Sequence, residues 1–264
     1  MIVHLYAACW NEIDRLDAFF AHYDPWVTRY CIYDDESDDG SIERLMRHKR
    51  VTLRRLVRSH PESIVLSLLD LYNHAWKESR GEADWVVVVN IDEFARHRDI
   101  LGYLQRCRSI GHTALPGVGF EVLPPLPPER SPPWWGTPNI FSNKLAVFDP
   151  NAIAEIDYAV GRHSARPSGC VRMPPRDELL NLHFKYCDPI AALARMRAQR
   201  PRLGPLDLEN GWGSQYAWEE QKFASWLAAL RAHAVRLDDS LDLDSAALPP
   251  RWWRPETWHR TPHS

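Results

Sequence analysis

Asn90, Asp92 and Glu93 follow directly on four consecutive valines, within Asp84-Trp85-Val86-Val87-Val88-Val89-Asn90-Ile91-Asp92-Glu93-Phe94. Two carboxylates at a strand tip can hold a hard divalent cation such as Mg2+ or Mn2+, which takes oxygen ligands. In an extended segment positions 90 and 92 share a side. Asn90 and Asp92 are therefore expected to face one ligand, with Glu93 pointing elsewhere; capping and a salt bridge at a strand end are the alternative. An imidazole can complete a carboxylate-based metal site. His183 lies in a short apolar stretch suited to this, Asn181-Leu182-His183-Phe184-Lys185-Tyr186. No HExxH pattern and no CxxC pair is present, which argues against the usual zinc sites.

Other constellations carry polar groups to loop positions. The acidic run Asp34-Asp35-Glu36-Ser37-Asp38-Asp39-Gly40-Ser41 follows a strand. A carboxylate there can accept hydrogen bonds from ribose hydroxyls or a base N–H, and the same run also reads as a solvated turn with an Asp cap. The absence of GxGxxG after the first strand disfavours a dinucleotide fold of the usual kind. In Leu208-Glu209-Asn210-Gly211-Trp212-Gly213, two glycines around Trp212 suggest a bend, and Glu209 and Asp207 are acids available as a base. A helix-entry loop explains that stretch equally well.

The elements that must position these groups alternate. Ile2–Ala8 reads as a strand. Asn11, with Asp14 three residues on, resembles a capping box for a helix carrying Leu16, Phe19, Phe20 and Tyr23. Val27–Tyr33 is the second strand, Ile42–His48 a short helix and Val51–Val57 the third strand. Pro61 suits the first turn of a helix reaching Lys77. The valine run reads as a strand buried on both faces. A helix near Asp99–Arg106 follows. This alternation indicates an α/β fold, a mainly parallel sheet flanked by helices. From Pro116 to Pro138 the chain is rich in proline and carries Trp134 and Trp135; it is expected to be a long loop rather than a central strand. Strand-like pieces recur at Lys144–Phe148, Gly169–Met173 and Leu180–Lys185. Helices are expected near Pro189–Gln199 and Ser214–His233. The chain divides into halves of one domain at 1–115 and 116–237, with a tail at 238–264.

Composition sets bounds. The chain has 264 residues, is 45% hydrophobic and carries a net charge of −3. That suffices for a core and offers nothing for wholesale binding to nucleic acid or anionic membrane. The twelve tryptophans suit sugar-stacking surfaces as well as core filling. The five cysteines are odd in number and widely spaced, as in a reducing compartment. The first residues lack a basic start, and no apolar run reaches the length of a membrane helix. A cytoplasmic protein is expected, soluble or peripheral at the inner face of the membrane.

Taken in order, Cys9-Trp10-Asn11-Glu12, the 33–41 turn, Ala83-Asp84-Trp85 and Asn90-Ile91-Asp92-Glu93-Phe94 resemble family-2-like glycosyltransferases of the GT-A (Rossmann-like) fold, in the bacterial branch with an Asp-Glu-Phe motif after strand four. Asn143-Lys144, Gly161-Arg162-His163 and Leu182-His183-Phe184-Lys185-Tyr186 extend the resemblance over about residues 1–220. It implies transfer of a sugar from a nucleotide-sugar donor to a hydroxyl of a carbohydrate or glycan-precursor acceptor, inverting and metal-assisted, in surface glycan synthesis. By resemblance, Asn11 and Glu12 lie near the nucleotide and Asp34 reads its base or ribose. Asn90 and Asp92 occupy the ends of the Asp-x-Asp metal motif, and His183 joins the metal. Asn90 departs from the aspartate usual there. Lys144, Lys185 or Arg162 would add positive charge for the leaving diphosphate. Glu121 and Glu209 are the candidate catalytic bases, and Asp207 a weaker one. The Pro/Trp-rich region would shape the acceptor side. Two rivals stand beside this: a nucleotidyltransferase, for which the loop after the first strand lacks Gly and Lys, and a catalytically inactive nucleotide- or carbohydrate-binding module, favoured by Asn90.

Overall fold

The computed structural model describes residues 1–124, 134–243 and 248–255. The first half alternates β1 (Val3–Cys9), α1 (Ile13–Tyr23), β2 (Arg29–Asp34), α2 (Ser41–Met46), β3 (Val51–Arg55), α3 (Ile64–His74), β4 (Trp85–Val88), β5 (Glu93–Arg96) and α4 (Ile100–Ser109). The second half is richer in strands: β6 (Ala114–Leu123), β7 (Trp134–Pro138), β8 (Lys144–Phe148), β9 (Ile153–Glu155), β10 (Ser168–Gly169) and β11 (Leu180–His183). It closes with α5 (Pro189–Gln199), α6 (Pro205–Glu209), α7 (Glu220–Arg231) and β12 (Val235–Leu237).

One sheet carries both halves, in the order β12-β7-β6-β8-β4-β1-β2-β3. Strands β3, β2, β1 and β4 are mutually parallel, with helices between them. Beyond β4 the sheet continues through antiparallel β8 into β6. β11 lies parallel to β6 and antiparallel to β5. The expected parallel sheet flanked by helices is thus present, extended by antiparallel strands.

The valine strand has both faces in hydrocarbon, as its composition requires. Trp85 and Val87 face Leu16, Phe19 and Tyr23 of α1 in one core. Val86 and Val88 face Tyr72 and Trp76 in the other. Each fully buried valine contributes about 1.5–3 kcal/mol of apolar burial. A third cluster joins β6 and β11 to Trp253, so residues 248–255 wrap back onto the sheet. Asp177 anchors them, accepting from Arg251 (2.5 Å), Trp253 (2.8 Å) and Arg254 (3.0 Å).

Several expected elements are corrected. Residues 116–123 are not loop but most of β6, an interior strand buried along its whole length. Pro116 is tolerated because the β6–β8 register shifts between Leu115 and Gly117, where no ladder N–H is needed. Residues 134–138 are strand β7; residues 125–133 lie outside the described residues. Helix α3 begins at Ile64 with Ser63 as its cap, not at Pro61. The 169–173 strand shrinks to Ser168–Gly169. The 214–233 helix is a 3-10 turn, Ser214–Ala217, followed by α7. Asn11 and Asp14 form no capping box. Asn11 takes a left-handed backbone (φ 52°), which Asn tolerates, and the N–H of Ile13 donates to Asp39 at 3.0 Å. All five cysteines are free thiols. No described helix is long and apolar enough to cross a membrane.

Candidate functional site

The carboxyl ends of β1, β2 and β4 lie side by side, the usual place for function in an open parallel sheet. Strand β4 stops at Val88, and the chain then turns: the N–H of Glu93 donates to the carbonyl of Asn90 at 3.1 Å. This turn overturns the expectation drawn from an extended segment. Glu93 folds back on Asn90, accepting from its N–H (3.0 Å) and from its side-chain amide (3.2 Å). The side-chain Oδ1 of Asn90 accepts from the hydroxyl of Tyr72 at 2.8 Å. Both polar atoms of the Asn90 amide are therefore taken up within the protein, while Asp92 faces away toward β11.

Asp92 meets His183 there. Antiparallel pairing sets His183 opposite Glu93, and parallel pairing sets it opposite Glu121. His183 Nδ1 contacts both oxygens of Glu121, at 2.8 and 2.9 Å. Its Nε2 lies 3.5 Å from Asp92 Oδ2. Burial opposes a charge on the imidazole, yet the two flanking carboxylates raise its pKa to about 10. Burial likewise opposes the charge on Asp92, but His183, Arg15 and Lys185 hold its carboxyl well below the usual range. Glu121 is buried, and its Oε1 also accepts from Ser142 (2.7 Å) and Asn139 (2.9 Å). Its carboxylate is committed to fixing the imidazole.

Asp92 and His183 fit a divalent cation. The 3.5 Å between Nε2 and Oδ2 is too long for a strong hydrogen bond and leaves room for one ion to touch both. The Nδ1–Glu121 contact is the outer support that a metal-binding histidine commonly has. An ion at Nε2 would replace its proton. Among the described residues no group of three or more His, Cys, Asp or Glu side chains surrounds a common cation position. Two protein ligands suit Mg2+ or Mn2+, which draw the rest from phosphate and water.

Glu93 anchors a buried cation pair. Its oxygens lie 2.9 Å from Lys144 Nζ and 2.5 Å from Arg162 Nη2. Arg162 also donates to the carbonyl of Val88 at 2.8 Å, closing the end of β4, and its guanidinium lies 4.5 Å from the Tyr72 ring centroid. To do this Arg162 takes a left-handed backbone (φ 58°) directly after Gly161 (φ 71°). A non-glycine residue held there is strained, and such strain gathers at functional sites. Lys144 is thus a partner of Glu93 inside the protein. Lys185 differs: it lies over the rings of Tyr186 and Tyr216 (5.5 and 4.9 Å), and among the described residues it has no ion pair at contact distance.

The residues that the resemblance sets near a nucleotide lie at the carboxyl ends of β1 and β2. Glu12 is buried between Arg15 (3.0 Å) and Arg195, and burial pushes its carboxyl up to about 7 against the pull of both arginines. Arg195 donates as well to the carbonyls of Trp10 (3.0 Å) and Asn11 (2.5 Å). Asp34 is buried and accepts from the N–H (2.9 Å) and hydroxyl (2.6 Å) of Ser37. The amide of Asn11 pairs reciprocally with Asp38. Asp35 binds Arg58 through two bonds (3.0 and 2.7 Å) and also Arg202, whose guanidinium stacks 3.6 Å from the Trp10 ring centroid.

Comparison with known proteins adds the following. No family model matches the chain, and no curated protein matches it. Among solved structures, residues 1–349 of S. aureus TarS are 12% identical with a TM-score of 0.40, over 88% of this chain and 71% of that one. A longer TarS structure is 10% identical at the same TM-score, over 88% of this chain and 43% of that one. Glucosyl-3-phosphoglycerate synthase from Mycobacterium tuberculosis, in complex with Mn2+, UDP and glucosyl-3-phosphoglycerate, is 17% identical with a TM-score of 0.31, over 46% of this chain and 44% of that one.

The structure brings Asp92, His183 and Glu121 into contact, and the charges of Glu12 and Lys185 act on Asp92 from farther away. Glu209 stays apart, exposed at the end of α6 with no hydrogen bond to the cluster. Asp207, the weaker candidate base, is fully buried and accepts from the N–H of Ile64 (3.0 Å) at the start of α3. Sequence reasoning missed Arg15, Arg195, Arg202 and Tyr72. Arg15 carried a signal, three residues beyond Glu12 on one helix face. The other three act across long separations, where no local pattern marks them.

Proposed function

We propose that the protein is a nucleotide-sugar-dependent glycosyltransferase of GT-A type, with its donor at the strand tips around Asp92. One observation carries this: Asp92 and a histidine oriented by Glu121 meet at the carboxyl edge of a parallel half-sheet, with the charge of Lys185 acting on Asp92. Asp92 and His183 would hold Mg2+ or Mn2+, which when bound neutralises the diphosphate charge that grows as the sugar departs. Lys185 adds positive charge from β11's end. Glu12, set by Arg15 and Arg195, and Asp34, set by Ser37, present buried carboxylates where a ribose and base would lie. Glu121 keeps His183 aimed; Glu93, with Arg162 and Lys144, holds the turn that presents Asp92. The acceptor is a carbohydrate hydroxyl reaching the site from the β6–β8 side, with inversion at the sugar carbon.

The test is calorimetry of UDP, GDP, dTDP and CMP with MnCl2, followed by transfer from the matching sugar donor. Asp92→Ala should abolish transfer and metal-dependent nucleotide binding. Unchanged turnover in that variant removes the metal assignment. A second reading, a binding module without turnover, draws on Asn90, whose amide replaces an acid and bonds to Tyr72 and Glu93. Tight nucleotide binding with no transfer to any acceptor would select it.

A further inference from the structure

Phe141 is 60% exposed, on a three-residue 3-10 turn, Ile140–Ser142. Exposed rings are ordinary when isolated on a mobile surface. This one is fixed from both sides. Asn139 and Ser142, which flank it, both donate to the same oxygen of Glu121, at 2.9 and 2.7 Å. The N–H of Phe141 donates to Asn139 Oδ1 at 3.0 Å, and its carbonyl contacts His163 Nδ1. The His163 ring stands edge-on to it, centroids 5.3 Å apart at 75°. Gly161 makes room for that imidazole, since a Cβ there would come within 2.2 Å of Nε2. The carbonyl of Gly161 is in turn held at 2.8 Å by Lys144, the partner of Glu93.

We infer that Phe141, braced by His163, is a stacking platform for one pyranose ring of the acceptor, and so a specificity-determining residue. This rests on the glycosyl-transfer proposal, because the platform is tied to the cluster only through Glu121 and Lys144. One ring is the right size for one sugar: its face takes the C–H surface of a pyranose. It is far smaller than the roughly 800 Å2 per partner that a stable protein interface buries. The same turn that fixes Glu121 would then fix the acceptor, so that sugar position and imidazole orientation are set together.

The experiment is saturation-transfer NMR with methyl hexopyranosides as probes, in the presence of the nucleoside diphosphate and MnCl2. Saturation is expected on ring C–H protons of at least one hexoside. Phe141→Ala should weaken that binding about tenfold, the scale of one lost aromatic contact. Phe141→Tyr should retain it. Thermal unfolding and nucleotide calorimetry of each variant report separately on the fold and on the donor side. If nucleotide binding fails in the parent protein, glycosyl transfer itself is refuted. Equal hexoside binding by Phe141→Ala, or no saturation of any hexoside by a parent protein that binds nucleotide, overturns the platform.

Discussion

Replacing Asp207 with alanine should cost stability rather than remove a catalytic base. The carboxylate is fully buried between the 204–207 turn and the start of α3. Its Oδ2 accepts from the N–H groups of Ile64 (3.0 Å) and Gly204 (2.9 Å); its Oδ1 contacts the Ser63 hydroxyl and, at 3.4 Å, the N–H of Val65. The first N–H groups of a helix have no partner within it. The junction cannot collapse to compensate, because a Cβ at Gly204 would already lie 2.1 Å from the carbonyl of Glu62. Two close hydrogen bonds to a charged acceptor, at about 1.5–3 kcal/mol each, give a loss of about 4 kcal/mol. At about 2–4 °C per kcal/mol for a chain of this size, the melting temperature should fall by about 10 °C. Urea unfolding of Asp207→Ala beside the parent protein measures this. A loss under about 1 kcal/mol at unchanged m, together with lost transfer by a fully folded variant, would refute the capping role and restore Asp207 as a base.

Three further outcomes follow from the geometry. Arg162→Ala should leave Glu93 buried with Lys144 alone and cost about 3–5 kcal/mol, read by denaturant unfolding; Arg162→Lys should recover little, since one ammonium cannot reach both Glu93 and the carbonyl of Val88. The Glu12 carboxyl has a folded pKa raised to about 7, from 4.5, so its contribution is full below pH 4.5 and is lost as pH rises through 7. Unfolding free energy measured at pH 4.5 and 8 should therefore fall by about 3 kcal/mol more for the parent protein than for Glu12→Gln, and parallel profiles would contradict the raised pKa. Gly119→Ala places a Cβ 2.1 Å from the backbone of Ser142. It should displace the turn that supports Glu121 and lower nucleotide-dependent metal affinity as well as stability, both measurable by calorimetry.

The parallel half of the fold was legible because its signals are local. The valine run could only be a strand with two buried faces, and α5 ends where its pattern does. Pro116 misled because proline marks a strand break only where a ladder N–H is needed, and a register shift removes that need. The end of the valine strand misled for a related reason. Alternating sides hold only while the chain stays extended, and the turn at 90–93 puts Glu93 rather than Asp92 beside Asn90. Asp92 and His183 could be picked out by residue type and strand position, but Glu121 only as an available acid, because its strand read as loop. Their contacts could not, because β11 reaches Glu121 by inserting between β5 and β6, and nothing in either segment specifies that neighbour. Arg195 and Arg202 bind groups more than 160 positions away, beyond any spacing rule.

The closure of the strand tips by Arg195, Arg202 and Asp207 sets an order of events during synthesis. Strands β1 to β4 and their helices leave the ribosome first and can pair with one another. Glu12 and Asp35, already paired with Arg15 and Arg58, then wait for second partners encoded far downstream. Contacts of such separation form late and slowly, since a long loop must close before any of them is gained. A nascent or truncated chain ending before residue 195 would lack the second arginines of Glu12 and Asp35 and leave the α3 start without its carboxylate. Such a fragment would be a ready target for proteases until synthesis passes residue 207 and supplies those partners.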